Sequence, residues 1–92
     1  MTPTEIDRAL EGVLEELAAV EHARWSHWQA YMHRKCARQP DGSLVIPAEL
    51  VAHWERQIAR DYVELAEDEK ESDREQVRAY IPLIKRALSK GG

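Results

Sequence analysis

His22 and Trp25 stand three residues apart with Arg24 between them. On a helix, positions i and i+3 share an edge, so an imidazole and an indole would lie side by side on one surface. Such a pair suits stacking on a nucleobase, and Arg24 or Lys35 suits pairing with a phosphate. The plainer reading is that Trp25 packs under a second helix while His22 faces water. Other reactive residue types are poorly arranged for chemistry. His22, His27, His33 and His53 include no i, i+4 pair, so no two imidazoles share a helix face as zinc ligands do. Cys36 is the single cysteine, which excludes an intrachain disulfide and a multi-cysteine zinc site. A lone cysteine on a helix is read as a packing residue. The chain has no glycine-rich phosphate loop, no H-E-x-x-H and no nucleophile elbow. The expectation is a binding protein, not an enzyme, with no catalytic or metal-ligating residues and no cofactor.

The acids invite one enzymatic reading, which fails on spacing. All-helical nucleotide pyrophosphohydrolases hold magnesium with an E-x-x-E pair and a later E-x-x-D pair. Glu64 and Glu67 satisfy the first pattern, and nothing in the chain satisfies the second.

The elements that would carry these residues are helical. Thr4 is placed as the first cap, with Pro3 before it and Glu5 and Asp7 in the first turn, where the helix dipole favours acids. Ile6, Leu10, Val13, Leu14, Leu17 and Val20 recur at helical spacing, and Trp28, Tyr31 and Met32 continue the stripe. This helix is expected to reach about Arg38, where Gln39-Pro40-Asp41-Gly42-Ser43 stops it with turn chemistry. Gly12 weakens it by about 1 kcal/mol relative to alanine, and its length makes it a candidate for a kink or for self-association. Leu44-Val45-Ile46 is too short to assign as a strand. Pro47 opens a middle helix striped by Leu50, Val51, Trp54 and Ile58. A last helix follows a break between Arg60 and Ala66, carries Val77, Tyr80, Ile81, Ile84 and Leu88, and is kinked at Pro82. Lys85, Arg86 and Lys90 complement its carbonyl end, and Gly91-Gly92 is expected to be mobile.

On an ideal helix with Ile6 at zero, Trp28 falls near ~40° inside the apolar stripe, Trp25 near ~100° at its edge and His22 near ~160° beyond it. Arg24 and Lys35 fall near ~0° and ~20°, inside the apolar face, where an unpaired cation is costly. An anionic ligand would relieve them, as would Glu21 on the same face or an acid from the stretch Asp61 to Glu75. The expected core is Leu10, Leu14, Leu17, Trp28, Trp54, Ile58, Val77, Ile81 and Ile84.

Charge is unevenly placed along 92 residues of net charge −4. Arg24, Arg34, Lys35 and Arg38 form a basic stretch without an acid, and the stretch from Asp61 to Glu75 sets eight acids against Lys70 and Arg74. An acidic chain disfavours coating of duplex DNA, which needs many phosphate contacts. The longest apolar runs fall far short of the roughly 20 residues a membrane span needs. Acids at Glu5, Asp7 and Glu11 do not fit a signal peptide. The expectation is one domain, residues 1–92, in the cytoplasm, with no membrane partner.

Two segments carry a resemblance. Leu17-Ala18-Ala19-Val20-Glu21-His22-Ala23-Arg24-Trp25 resembles the L-A-x-x-x-H-x-x-W segment of the ryanodine-receptor repeat (RyR) domain. Tyr62-Val63-Glu64-Leu65-Ala66-Glu67-Asp68-Glu69-Lys70-Glu71-Ser72-Asp73-Arg74 resembles that family's second signature, Y-x-E-L-x-E-x-E-K-x-x-D-R. The chain also looks like the short RyR-type proteins of bacteriophage and bacterial genomes. The resemblance implies a compact helical domain with an adenine-nucleotide type of ligand, and it nominates His22 and Trp25 for the pocket. Tyr62 and Arg74 match the second signature, where Asp73 and Arg74 are first assigned to holding the fold. The family's glycine-tryptophan-tyrosine-glycine hairpin has no counterpart between Gln29 and Arg60, so one wall of that pocket is absent or rebuilt.

Together these readings describe an all-α domain with one long N-terminal helix, a short middle helix and a C-terminal helix. The expected function is non-catalytic binding of a nucleotide or cyclic nucleotide through His22, Arg24, Trp25, Lys35, Tyr62 and Arg74, in a homo-oligomer. In a phage-encoded protein that would serve to sequester a nucleotide immune signal. The alternative is a protein–protein adaptor or inhibitor that uses the aromatic and basic strip.

Overall fold

The computed structural model describes residues 1–91 of the chain. The expectations placed on the Lys90 side chain and on Gly92 lie outside the described residues. Helix α1 spans Pro3–Glu11. Its cap is Thr2, two residues earlier than expected, and the Thr2 hydroxyl accepts from the Glu5 N–H at 3.2 Å. Pro3 decides the difference, because its fixed φ and missing N–H suit the first helical position. The chain breaks at Gly12 and Val13, where the Val13 N–H reaches the Leu10 carbonyl at 3.2 Å. The long N-terminal helix is therefore two, and α2 runs over Leu14–Lys35.

Helix α2 stops three residues short of the expected Arg38, with Cys36 already extended. Strand pairing takes over there: β1 (Ala37–Arg38) pairs antiparallel with β2 (Leu44–Val45), with Ala37 opposite Val45 and Arg38 opposite Leu44. The turn between them follows from its residues. Gly42 adopts φ +90°, open to glycine at little steric cost. The Asp41 carboxylate accepts from the Ser43 N–H at 2.9 Å and the Ser43 hydroxyl at 2.6 Å. Those bonds, the hydroxyl first, hold the Asp41 carboxyl below its usual range.

Helix α3 (Ala48–Ile58) follows directly after Pro47. A short 3₁₀ turn, Tyr62–Glu64, leads to α4 (Glu67–Arg78). The preceding Ala66 offers no side-chain acceptor, but Glu69 reaches back to its N–H at 3.4 Å, half of a capping box. Glu67, Asp68 and Glu69 fill the first turn, where the dipole favours them. Helix α5 (Ile81–Gly91) begins after a turn at Ala79 and Tyr80. Pro82 falls in its first turn, so the proline sits beside a break between two helices and not inside one kinked helix.

The chief helix pairing is α1 against α5. Val13 (6% exposed) and Ala87 (4%) are the buried apolar residues there, and no other described residue is buried as fully. Side chains tie the remaining joints. Arg86 donates to Glu16, Tyr80 to Glu21 and Gln57 to Glu69, linking α5 to α2, the α4–α5 turn to α2, and α3 to α4. The molecule is a plate of 54 × 34 × 17 Å with a radius of gyration of 18.2 Å. A compact chain of this length would have a radius of gyration of about 12 Å.

The expected core is corrected accordingly. Leu10, Leu14, Trp28, Ile58, Val77 and Ile81 are exposed, with Ile58 at 82%, while Leu17, Trp54 and Ile84 are half-buried. A plate this thin cannot lay a second layer over every helix, so part of each apolar stripe stays uncovered. No helix among the described residues is long and apolar enough to cross a membrane.

Candidate functional site

The six sequence-nominated residues divide into separate local pairs. Along α2, the rings of His22 and Trp25 stack with centroids 6.1 Å apart and planes 20° apart. Trp25 is 60% exposed, so its outer face is open. Arg24 donates to Glu21, the same-face acid that the sequence offered as its partner. The Lys35 ammonium lies 5.5 Å from the centroid of the Tyr31 ring, a cation–π contact within α2. Tyr62 is matched in the same way by Lys70 at 5.7 Å. Arg74 bridges the Glu67 carboxylate at 2.7 Å and the Glu71 carboxylate at 3.1 Å. Arg74 is thus engaged along α4, where Arg78 extends the ladder to Glu71 at 2.6 Å. These bonds raise both guanidinium pKa values and hold the Glu67 and Glu71 carboxyls below their usual range.

A wide concavity lies elsewhere, and none of the six lines it. It is a groove of about 690 Å³ between α2, α3 and the first half of α4. Trp28 and Tyr31 form one wall, their rings edge-to-face at 5.7 Å, and Trp54 forms part of the α3 side. Met32, Ile58 and Leu65 complete the apolar lining. Asp68, Glu69 and Asp73 bring three carboxylates to one side, with His53, Gln29, Gln57 and Ser72 as the other polar residues. No lysine or arginine is among the described lining residues.

Their electrostatics differ one by one. Glu69 accepts from the Gln57 amide, and that bond, reinforced by the Ala66 N–H, holds its carboxyl below the usual range. Asp68 and Asp73 have no hydrogen-bonding or ionic side-chain partner among the described residues. Three aromatic rings beside free carboxylates favour a cation over an anion.

Sequence reasoning passed over this groove because it placed Trp28, Trp54 and Ile58 in the core. Two signals pointed to it: tryptophans on two different helices, and an acid run leading into α4. Among the described residues, no group of three or more histidine, cysteine or acidic side chains is gathered to hold a metal ion. The chain matches no family model, no curated protein and no solved structure.

Proposed function

We propose that the protein is a non-catalytic recognition module that binds a partner protein through the groove between α2, α3 and α4. The observation that carries this reading is the composition of the groove: Trp28, Tyr31 and Trp54 beside Asp68 and Asp73, with no cation among its described lining residues. A partner segment with a basic side chain next to an apolar one fits it. The ammonium or guanidinium meets the carboxylates and the ring faces, and the apolar neighbour covers the indoles. The sign is opposite to that of an adaptor using the basic strip, because the concave surface is the acidic one. The test is calorimetric titration with a short peptide carrying lysine beside leucine, against the same peptide with glutamate in place of lysine. The lysine peptide binds, the glutamate peptide does not, and Trp54→Ala weakens binding at least about tenfold, as loss of a central aromatic anchor does. Equal binding of both peptides refutes the reading, as does binding of neither by chain that is monomeric at the concentration titrated.

A second reading keeps the nucleotide ligand of the RyR-type resemblance. It is favoured by the open Trp25 face stacked on His22, a platform for a base. Phosphate would have to compete with Glu21 for Arg24. Adenine nucleotides quenching Trp25 fluorescence in the parent, and not in Trp25→Ala, would support it. An unquenched parent would reject it.

A further inference from the structure

We infer that the partner seated in this groove is a second copy of the same chain, delivering the basic end of its α2 helix. The inference rests on the groove being a binding surface, as proposed above, and adds the identity of its occupant.

Surface area gives the first argument. The chain exposes 7170 Å². A compact monomer of 10.6 kDa would expose about 5,500 Å². The excess of about 1,700 Å² per copy means that a symmetric pair covering it would hide about 3,400 Å² in all, within the range of obligate dimers. The surplus is apolar in part: Trp28, Ile58, Val77 and Ile81, assigned to the core by their helical spacing, face solvent in the single chain.

Charge gives the second, independent argument. Arg34 and Lys35 at the end of α2, and Arg38 just beyond it in β1, have no carboxylate partner among the described residues. Asp68 and Asp73 have no cation partner among them either. One chain therefore carries a basic end and an acidic groove that do not satisfy each other. In a twofold pair each copy gives its basic end and receives the other's, because residue i meets j wherever j meets i. Two chains of net charge −4 repel at long range, so the pairing must come from this local pattern and from apolar burial.

The experiment is light scattering of the full chain at about 100 µM, with circular dichroism to confirm helicity. The parent scatters at twice 10.6 kDa. The triple variant Arg34→Glu, Lys35→Glu, Arg38→Glu and the double variant Asp68→Lys, Asp73→Lys each shift at least tenfold toward monomer while staying helical. Mixing the two variants restores a dimer, because each now complements the other. A parent mass of 10.6 kDa, reversed variants that pair as tightly as the parent, or a mixture that stays monomeric overturns the inference. A monomeric parent that still binds the lysine peptide removes the second copy and leaves the groove's recognition role standing.

Discussion

The Tyr80 hydroxyl donates to one oxygen of the Glu21 carboxylate, 59 residues away in sequence, while Arg24 donates to the other. This three-residue contact ties the α4–α5 turn to the middle of α2. It also pairs the half-exposed Arg24 with an acid of its own helix.

Acid should loosen this joint. The Tyr80 hydroxyl, and then Arg24, lower the Glu21 pKa from its ordinary value of 4.5. A lowered carboxylate pKa means that the folded state prefers the ionised form. The stabilisation is therefore complete above pH 4.5 and is lost as pH falls through the lower folded value. Tyr80 is shifted upward from 10.0 by the same bond, so its contribution is intact below that value and disappears as pH rises beyond the raised one. Thermal melts from pH 2 to 12 should fall at both ends. Tyr80→Phe should flatten the part of the acid arm that comes from Glu21; an unchanged profile would deny the coupling.

Packing of α1 on α5 depends on a small residue. Ala87 is 4% exposed and sits at the seam with Gly12 and Val13. Ala87→Leu forces in extra volume and should cost about 1–3 kcal/mol, the usual penalty of overpacking. Val13→Ala should cost about 2 kcal/mol through lost burial and a residual cavity. Denaturant melts that show no loss for either variant would mean that the seam is not a core.

Turn geometry sets a third outcome. Gly42 holds φ +90° in open space, so an added Cβ meets no neighbour and the penalty is purely conformational. Gly42→Ala should cost about 1–2 kcal/mol. Nuclear magnetic resonance would locate the change at Gln39 to Ser43, with the α1–α5 seam undisturbed.

Local chemistry was legible in the sequence where one residue type decides the backbone. Gln39 to Ser43 reads as a turn, though not as a hairpin, and the stripe from Ile6 to Val20 runs straight through Gly12, where the helix in fact breaks. The acid run from Glu67 marked the start of α4, and Pro82 marked the vicinity of the last break. Coverage was not legible. A 3.6-residue period identifies which face of a helix is apolar, but not what lies against it. Leu14 and Ile58 satisfy their stripes as well as Leu17 does, yet they face solvent. The groove escaped for the same reason, since Trp54 on a stripe reads equally as a core filler and as a binding wall. Arg24 was the informative exception. Glu21, one of the partners the sequence offered it, is bonded to it at the surface.

The bond from Arg86 to Glu16 joins residues 70 positions apart, at the same end where α1 meets α5. The best-buried part of the molecule thus closes a loop that contains nearly the whole chain. The entropy of that closure must be met before the seam yields any stability. The hairpin and the α3–α4 pair draw on neighbours close in sequence and can form on their own timescale. Folding then ends with the docking of the two chain ends, and hydrogen exchange at α1 and α5 should report the slowest step to form.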